Sequence, residues 1–468
     1  MRQRTGQTYQ DIEITETENG KGLTYINEIP VYVTGCVPGD IADIKIIRRN
    51  RRSREAVVTE FKKYSSQRAL PACEHFGVCG GCVWQNIPYS VQLFYKQKQV
   101  KDAFKQECPE VDFKINDIIG SDNIFFYRNK LEFTFSAQRW LTADELNLPD
   151  QEKQLCGLGF HIPGKFDKVL DIEKCHLQSD PSNAIRLAAK KFAIDNKLSF
   201  FNIRFQEGFL RNMIVRTAST GEIMVCVVFG SDDKEPREKL LDFLYEKFPE
   251  ITSLMFFINT KRNDDYSDLE AILYKGKNFI TEKMENLQFK IQAKSFYQTN
   301  SLQAYKLYSI ARDFADIKDD EIVYDLYTGT GTIANFISSK CKKVVGIEYI
   351  EEAIQDAKEN SRLNGINNTV FYAGDMKDVL NEEFININGK PQVMIIDPPR
   401  AGMHPDVVKT VINAAPEKIV YVSCNPKSQA HDIAMMKDYY QIAECQPVDM
   451  FPQTHHVENV ILLKKIQQ

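Results

Sequence analysis

Short apolar runs alternate with polar positions through the first 65 residues or so of the chain. Three of these runs, at 12–14, 29–33 and 41–46, are separated by turn-like, glycine-containing segments at 19–22 and 37–40. Short strands at this spacing are typical of a small antiparallel barrel. The pattern therefore predicts an amino-terminal β domain over residues 1–65.

The middle of the chain mixes helical and strand patterns. A helical pattern covers 91–104, and two apolar runs at 210–216 and 223–229 predict a pair of neighbouring strands. We interpret residues 66–290 as a central α+β domain, to which the pattern alone assigns no chemistry.

From about residue 291 strand and helix patterns alternate regularly. Apolar runs at 322–327, 343–348, 393–396 and 419–422 predict strands, and a glycine turn at 328–332 leads from the first strand into a helix. This alternation is typical of a doubly wound, Rossmann-like parallel sheet, whose ligands bind at the carboxyl ends of the strands. We therefore expect the third domain, 291–468, to carry the chemistry.

Composition places the chain among ordinary globular proteins. Its 468 residues suggest two to four domains, and 43% hydrophobic and 26% charged residues are usual values. No apolar stretch is long enough to span a bilayer, and the polar segment after Met1 is unlike a signal sequence. We expect a cytoplasmic protein, a monomer, with no membrane partner.

A net charge of −5 argues weakly against a non-specific nucleic-acid coat protein, but the charge is uneven. Six of the ten residues at 45–54 are basic and none is acidic. Such a run is either a solvated loop or a surface that meets RNA.

Eleven cysteines are an odd number and are spread unevenly, which disfavours a secreted disulfide framework. Cys73, Cys79 and Cys82 lie within ten residues, with two glycines before Cys82, and Cys175 stands far downstream. Four soft ligands suit either zinc or an iron–sulfur cluster. The spacing leaves both open.

The glycine turn after the first strand of the third domain indicates a nucleotide-like ligand. Gly329 and Gly331 let the backbone approach the ligand, and Glu348, at the end of the next strand, is placed to accept ribose hydroxyls. A dinucleotide oxidoreductase is one alternative, but Ala334 stands where that fingerprint has its third glycine. Residues 325–331 instead resemble the first motif of S-adenosylmethionine-dependent methyltransferases.

Cys424 follows a buried-strand pattern and precedes Pro426, which ends the strand. A thiol in such a turn can be a nucleophile once it is ionised, although a cysteine is more often a small buried hydrophobe. The remaining motifs favour the nucleophile.

Five motifs together resemble the RNA uracil-5-methyltransferases, and with the cysteine set and the amino-terminal domain the similarity covers almost the whole chain. They are SFYQTN at 295–300, DLYTG at 325–329, DPPRAG at 397–402, SCNP at 423–426 and HVE at 456–458. Gly22 and the segments 33–35 and 37–40 resemble a TRAM domain, an RNA-binding barrel related to the oligonucleotide-binding fold. One position departs from the family, which often has a histidine where Gln453 stands.

The resemblance implies a role for each matching residue. It implies Cys424 as the nucleophile and Glu458 as the base. It implies a 4Fe-4S cluster on Cys73, Cys79, Cys82 and Cys175, as in the ribosomal-RNA members. The residues implied around S-adenosylmethionine are Gln298, Tyr327, Gly329, Glu348, Asp375 and Asp397.

The chemistry gives an independent reason for the catalytic pair. Carbon 5 of uracil is a poor nucleophile, and thiolate addition at carbon 6 activates it. A base must then remove the proton from carbon 5 so that the thiolate can leave. We expect methylation of a uridine in 23S ribosomal RNA. The alternatives are a transfer-RNA T-loop uridine, or a catalytically silent RNA-binding scaffold.

Overall fold

The computed structural model describes residues 6–467. The prediction about a signal sequence concerns the segment that begins at Met1, and residues 1–5 of that segment lie outside the described range. Six strands near the amino terminus form one sheet in the order β1-β5-β6-β4-β3-β2. They are β1 (Thr8–Glu13), β2 (Glu16–Glu18), β3 (Lys21–Ile26), β4 (Ile29–Thr34), β5 (Ile41–Arg49) and β6 (Arg54–Lys63). Neighbours are antiparallel except β4 and β6, which are parallel, so the predicted purely antiparallel arrangement is wrong at this one pair. Assignment to the TRAM type stays a prediction.

The basic run at 45–54 is a hairpin rather than a loop. It comprises the end of β5, a turn at 50–53 and the start of β6. Lys45 is exposed between the buried Ile44 and Ile46, as alternation along a strand requires. Arg54 is buried, and its guanidinium donates to the Tyr9 hydroxyl at 3.3 Å. Only part of the run can therefore be a solvated surface.

The central segment contains a seven-stranded sheet in the order β13-β12-β11-β10-β7-β8-β9. Its strands are β7 (Lys130–Ser136), β8 (Gly157–Ile162), β9 (Lys165–Asp171), β10 (Leu210–Thr217), β11 (Ile223–Phe229), β12 (Ile251–Ile258) and β13 (Ile272–Gly276). Its helices are α1 (Tyr89–Glu107), α2 (Ala143–Leu146), α3 (Ser182–Asp195) and α4 (Lys234–Lys247), with a 3-10 turn at Asp150–Glu152. The predicted pairing of the strands at 210–216 and 223–229 is confirmed, because β10 and β11 are antiparallel neighbours.

Both faces of this sheet are covered, which explains why β11 is apolar throughout. Val225 and Val227 pack with helices α3 and α4, whereas Cys226 and Val228 pack with residues of the third domain. The core is thus continuous from the central sheet into the carboxyl-terminal part.

A hairpin and a second seven-stranded sheet complete the chain. The strands are β14 (Phe279–Met284), β15 (Leu287–Gln292), β16 (Ile322–Leu326), β17 (Lys343–Glu348), β18 (Thr369–Ala373), β19 (Val393–Ile396), β20 (Lys418–Ser423), β21 (Tyr440–Val448) and β22 (Glu458–Lys465). The helices are α5 (Ser301–Ala315), α6 (Thr332–Ile337), α7 (Glu351–Leu363), α8 (Met376–Val379), α9 (Glu382–Asn388), α10 (Pro405–Ala414) and α11 (Pro426–Met436), with a 3-10 turn at Ser338–Lys340. The alternation of strands and helices that we predicted for this part of the chain is present.

The order of the second sheet is β18-β17-β16-β19-β20-β22-β21. Its first five strands are parallel, but β22 is antiparallel to both of its neighbours. The prediction of a wholly parallel sheet is therefore wrong at this edge. Because β22 is antiparallel to β20, the first residue of β22, Glu458, lies near the carboxyl end of β20.

Helix α1 packs on this second sheet, although it lies within the segment that we assign to the central domain. Val100 and Phe104 join the core that contains Ile433 and Met436 of α11. Within residues 6–467, no helix has the length and apolar character needed to cross a membrane.

Candidate active site

Cys424 lies in the turn between β20 and α11, where Pro426 begins the helix. The turn is tied down by the Ser423 hydroxyl, which accepts from the Asn425 amide at 3.1 Å. The Asn425 side chain in turn donates to the Arg400 carbonyl at 3.0 Å. Cys424 is partly exposed, so its thiol can be reached from outside the protein.

Glu458 is the residue opposite Cys424. Ser423 and Asn459 are the last register partners of β20 and β22, so Cys424 and Glu458 are the next pair outward. The two side chains are close enough for the charge of Glu458 to act on the Cys424 thiol. The structure thus brings the predicted nucleophile and the predicted base together.

Burial changes the acidity of both groups. Glu458 is 4% exposed, and its carboxyl accepts no hydrogen bond from the described residues. Burial, helped by the nearby Asp397, raises the pKa of Glu458 to about 8. Burial, then the charges of Glu458 and Asp397, raises the pKa of Cys424 to about 11, while Arg400 acts in the opposite direction.

Asp397 follows β19 directly and completes this group of acids. Burial raises its pKa to about 7. The loop after it carries Arg400, whose carbonyl accepts hydrogen bonds from the side chains of Asn425 and Ser428. The DPPR and SCNP motifs therefore form one connected unit at the carboxyl ends of β19 and β20.

The glycine turn lies at the same edge of the sheet, after β16. Gly329 and Gly331 have φ of +54° and +74°, and the position of a Cβ at Gly329 is open, with no atom within 4 Å. The Gly329 amide donates to the Glu348 carboxylate at 3.1 Å, which fixes this acid beside the turn. Tyr327 also has a positive φ, +62°, a conformation that is uncommon outside glycine. This open, amide-lined turn next to an acid fits an adenosine-bearing cofactor.

Asp375 and Gln298 approach the site from two sides. Asp375 caps α8 by accepting from the Lys377 amide, and both this bond and the Lys377 ammonium lower its pKa. Gln298 precedes helix α5, and the Asn129 side chain donates to its carbonyl at 2.9 Å. Burial raises the pKa of the Tyr308 hydroxyl well above its ordinary value, and the charge of the nearby Asp397 acts in the same direction. Tyr308 lies in none of the sequence motifs.

The four predicted metal-ligating cysteines line a single cavity of about 650 Å³, together with Gly80, Gly81 and several apolar side chains. Burial raises the pKa of Cys79 to about 11 and that of Cys82 to about 12. Among residues 6–467, no three His, Cys, Asp or Glu side chains have the arrangement of a metal-ion site. The four cysteines nonetheless converge on one cavity.

Sequence reasoning left Gln453 without a role and did not connect it to Gln92. The two side chains form a buried pair. One signal was available, because Gln92 and Lys96 fall at the four-residue spacing of the buried face of α1, which continues through Val100. Polar residues on such a face need partners.

Comparison with known proteins identifies relatives over nearly the full length. Residues 271–466 match the family model of tRNA (uracil-5-)-methyltransferases. A protein of Bacteroides thetaiotaomicron named as an uncharacterized RNA methyltransferase is 54% identical, over 95% of this chain and 99% of the relative. One of Chlorobaculum tepidum with the same description is 37% identical, over 93% of this chain and 92% of the relative.

A solved structure has the same architecture. It is the tRNA (uracil-54, C5)-methyltransferase of Pyrococcus abyssi in complex with S-adenosyl-L-homocysteine. The TM-score is 0.75 at 29% identity, and the match covers 97% of this chain and 100% of that one. A match of this extent includes the amino-terminal and central sheets as well as the second seven-stranded sheet.

Proposed function

Because this chain belongs to the RNA uracil-5-methyltransferase family, we propose that it methylates carbon 5 of a uridine through a covalent bond between Cys424 and the uracil ring, with Glu458 as the base. The observation that supports this most strongly is the register of β20 and β22, whose last pair, Ser423 and Asn459, is followed at once by Cys424 and preceded by Glu458. A silent scaffold would have no need of this pair.

The steps follow from the two groups. The Cys424 thiolate adds to carbon 6 of uracil, and the displaced electron pair makes carbon 5 nucleophilic. S-adenosylmethionine, when bound, supplies an electrophilic methyl group to that carbon. The Glu458 carboxylate then removes the proton from carbon 5, and the electrons of that C–H bond expel the thiolate. The uridine must leave its stack to reach this site.

The chain's own residues suit these tasks. Arg400 favours the Cys424 thiolate, because it lowers the pKa that burial and the neighbouring acids raise. Gly329 and Glu348 are placed to hold the cofactor's nucleoside part, and Asp375 is placed near the adenine. In this proposal Gln298, Tyr327 and Asp397 also contact the cofactor.

A 4Fe-4S cluster on Cys73, Cys79, Cys82 and Cys175 is the second part of the proposal. Four thiols that line one cavity could hold a cluster, which has an iron at each of four corners, and the resemblance to the ribosomal-RNA members favours it. Zinc brings its four sulfurs to about 2.3 Å from one centre.

For the substrate, we infer ribosomal RNA, because the cysteine set resembles that of the ribosomal-RNA members. A second candidate, a transfer-RNA T-loop uridine, is favoured by the Pyrococcus abyssi enzyme. Since that match covers 97% of this chain, the amino-terminal sheet does not separate the two candidates.

Mapping 5-methyluridine in all RNA of a strain lacking the gene distinguishes these candidates. We expect one or more ribosomal sites to lose the methyl group and to regain it with purified enzyme. Loss confined to transfer RNA would replace the ribosomal proposal. Unchanged methylation in both RNA classes would contradict the proposed activity.

A further inference from the structure

The loop 449–457 joins β21 to β22 and ends at Glu458. Here it is named the base loop. Glu458 is the first residue of β22 and pairs with Val448 of β21, so the base lies where the base loop enters the sheet. Side chains from distant parts of the chain bind the base loop on several sides.

Helix α1 supplies an ion pair to the start of the base loop. Lys96 and Asp449 are both fully buried, and Lys96 Nζ lies 2.6 Å from Asp449 Oδ1. The same ammonium donates to the Phe451 carbonyl at 3.0 Å, and the Tyr89 hydroxyl donates to Asp449 Oδ2 at 2.9 Å. The Asp449 carboxylate is thus held from α1 at both oxygens.

One turn earlier on α1, Gln92 binds the middle of the base loop. Its Nε2 donates to Gln453 Oε1 at 3.0 Å, and its Oε1 accepts from the Gln453 amide at 2.9 Å. Both residues are buried, at 1% and 3% exposure. The Gln92 Nε2 also donates to the carbonyls of Trp84 and Ile87, so this one side chain joins two loops.

Gln453 is the point at which the base loop reverses. Its φ of +67° is in the left-handed region, which a non-glycine residue keeps only where surrounding contacts hold it. Its carbonyl accepts from the amides of Val83 and Trp84, at 2.9 and 3.1 Å. Gln92 therefore holds Gln453 by its side chain and its amide. The carbonyl of Gln453 in turn binds the segment that follows Cys82.

We propose that Gln92, acting through Gln453, is a positioning residue for the base Glu458. It touches neither the substrate nor the cofactor in this account. We expect its loss to leave the attack by Cys424 and the methyl transfer intact, because the Gln92 side chain donates to Trp84, Ile87 and Gln453 rather than to β20 or the glycine turn. Proton removal from carbon 5 slows, since a shift of about 1 Å in a catalytic group can cost about 100-fold. This inference rests on the proposed role of Glu458.

The test compares Gln92→Leu with Glu458→Gln in the full-length enzyme, using methyl-labelled cofactor and RNA from a strain lacking the gene. For Gln92→Leu we expect first-turnover methyl transfer close to wild type and multiple turnover lowered by about 10-fold or more. A methylated protein–RNA adduct should accumulate on denaturing gels, as it should for Glu458→Gln. Gln453→Gly keeps the positive φ and the carbonyl but loses the side-chain bond, and it should accumulate the same adduct.

Asn388→Leu is the matched control for general loss of stability. Asn388 is buried and hydrogen-bonded to Lys343, the first residue of β17, so it lies at the edge of the sheet opposite the site. No adduct should accumulate in this variant.

An adduct in Glu458→Gln but in neither Gln92→Leu nor Gln453→Gly would overturn the positioning role alone. An adduct in Asn388→Leu equal to that in Gln92→Leu would also overturn the positioning role, because it would show a general effect of lost stability. No adduct in Glu458→Gln would overturn the base assignment and this inference with it. If Gln92→Leu does not fold, the presence or absence of the adduct in Gln453→Gly decides whether the positioning role holds.

Discussion

Cys424 and Glu458 each lie one residue beyond Ser423 and Asn459, the last pair of the β20–β22 ladder, and the charge of Glu458 is close enough to raise the pKa of Cys424. The two residues are 34 positions apart in the sequence, and only the antiparallel entry of β22 brings them together. The negative charge of the Glu458 carboxylate makes ionisation of the nearby Cys424 thiol more costly.

The acidity of Cys424 should therefore respond to Glu458. Removing the carboxyl in Glu458→Gln should lower the thiol pKa below about 11, because one of the charges that raise it is lost. Arg400→Ala should raise the pKa instead, since the guanidinium favours the thiolate. The rate of alkylation of Cys424 against pH measures both, with Cys424→Ala as the blank. A Cys424 pKa unchanged in Glu458→Gln would show that the two groups are not coupled.

The buried carboxyl of Glu458 should also lower stability at high pH. Its pKa is about 8 in the folded protein against an ordinary 4.5, so the folded state holds the proton more tightly than the unfolded chain. This contribution to stability is complete below pH 4.5 and is lost as the pH rises towards 8. Glu458→Gln does not ionise, so it should gain stability relative to wild type by about 4 kcal/mol between pH 5 and pH 8.5.

Denaturant unfolding at the two pH values measures this difference. Glu383→Gln, on the exposed side of α9, provides the control for the same substitution at an exposed carboxylate. A Glu458→Gln difference that is the same at pH 5 and pH 8.5 would mean that the carboxyl ionises normally in the folded protein.

The basic hairpin gives a separate prediction about RNA. Lys45, Arg51 and Arg52 are exposed, whereas Arg54 is buried and hydrogen-bonded to Tyr9. Replacing the three exposed residues by glutamine should weaken RNA binding and reduce the dependence of affinity on salt, because fewer counterions are released. Cofactor affinity should not change. Replacement of Lys234 and Lys239 on α4 is the control, and an equal effect there would show that the hairpin has no specific part.

The cysteine cavity predicts an oxygen-sensitive chromophore. Protein purified without oxygen should be brown and should contain iron and sulfide near the ratio of a 4Fe-4S cluster. Cys175→Ser should lose the colour and part of its stability, because this ligand ties distant segments together. Cys156→Ser is the control, since Cys156 does not line the cavity. Stoichiometric zinc in a colourless anaerobic preparation would contradict the cluster.

Much of the fold follows from local patterns, because a strand buried on both faces must be apolar throughout. The runs ending before Asp397 and at Ser423 mark the carboxyl ends of β19 and β20 and so locate the site. The segment 45–54 is harder to interpret from the sequence. Its dense positive charge suggests a loop and hides the strand alternation of Ile44, Lys45 and Ile46.

What the sequence did not reveal depends on pairing between distant residues. The antiparallel β22 could not be read from its own apolar pattern, because that pattern is the same in either direction. Gln92 and Gln453 are 361 residues apart, and neither belongs to a recognisable motif. Buried polar pairs of this kind are specified by tertiary structure rather than by local sequence.

The most direct test of the account is the fate of the bond between Cys424 and uracil. Glu458→Gln and Cys424→Ala should each be incubated with RNA and methyl-labelled S-adenosylmethionine and then run on a denaturing gel. Glu458→Gln should accumulate a labelled protein–RNA adduct, because methyl transfer precedes the step that it blocks. Cys424→Ala should give neither adduct nor methylated RNA while still binding the cofactor. Normal turnover without adduct in Glu458→Gln, or methylation by Cys424→Ala, would contradict the account.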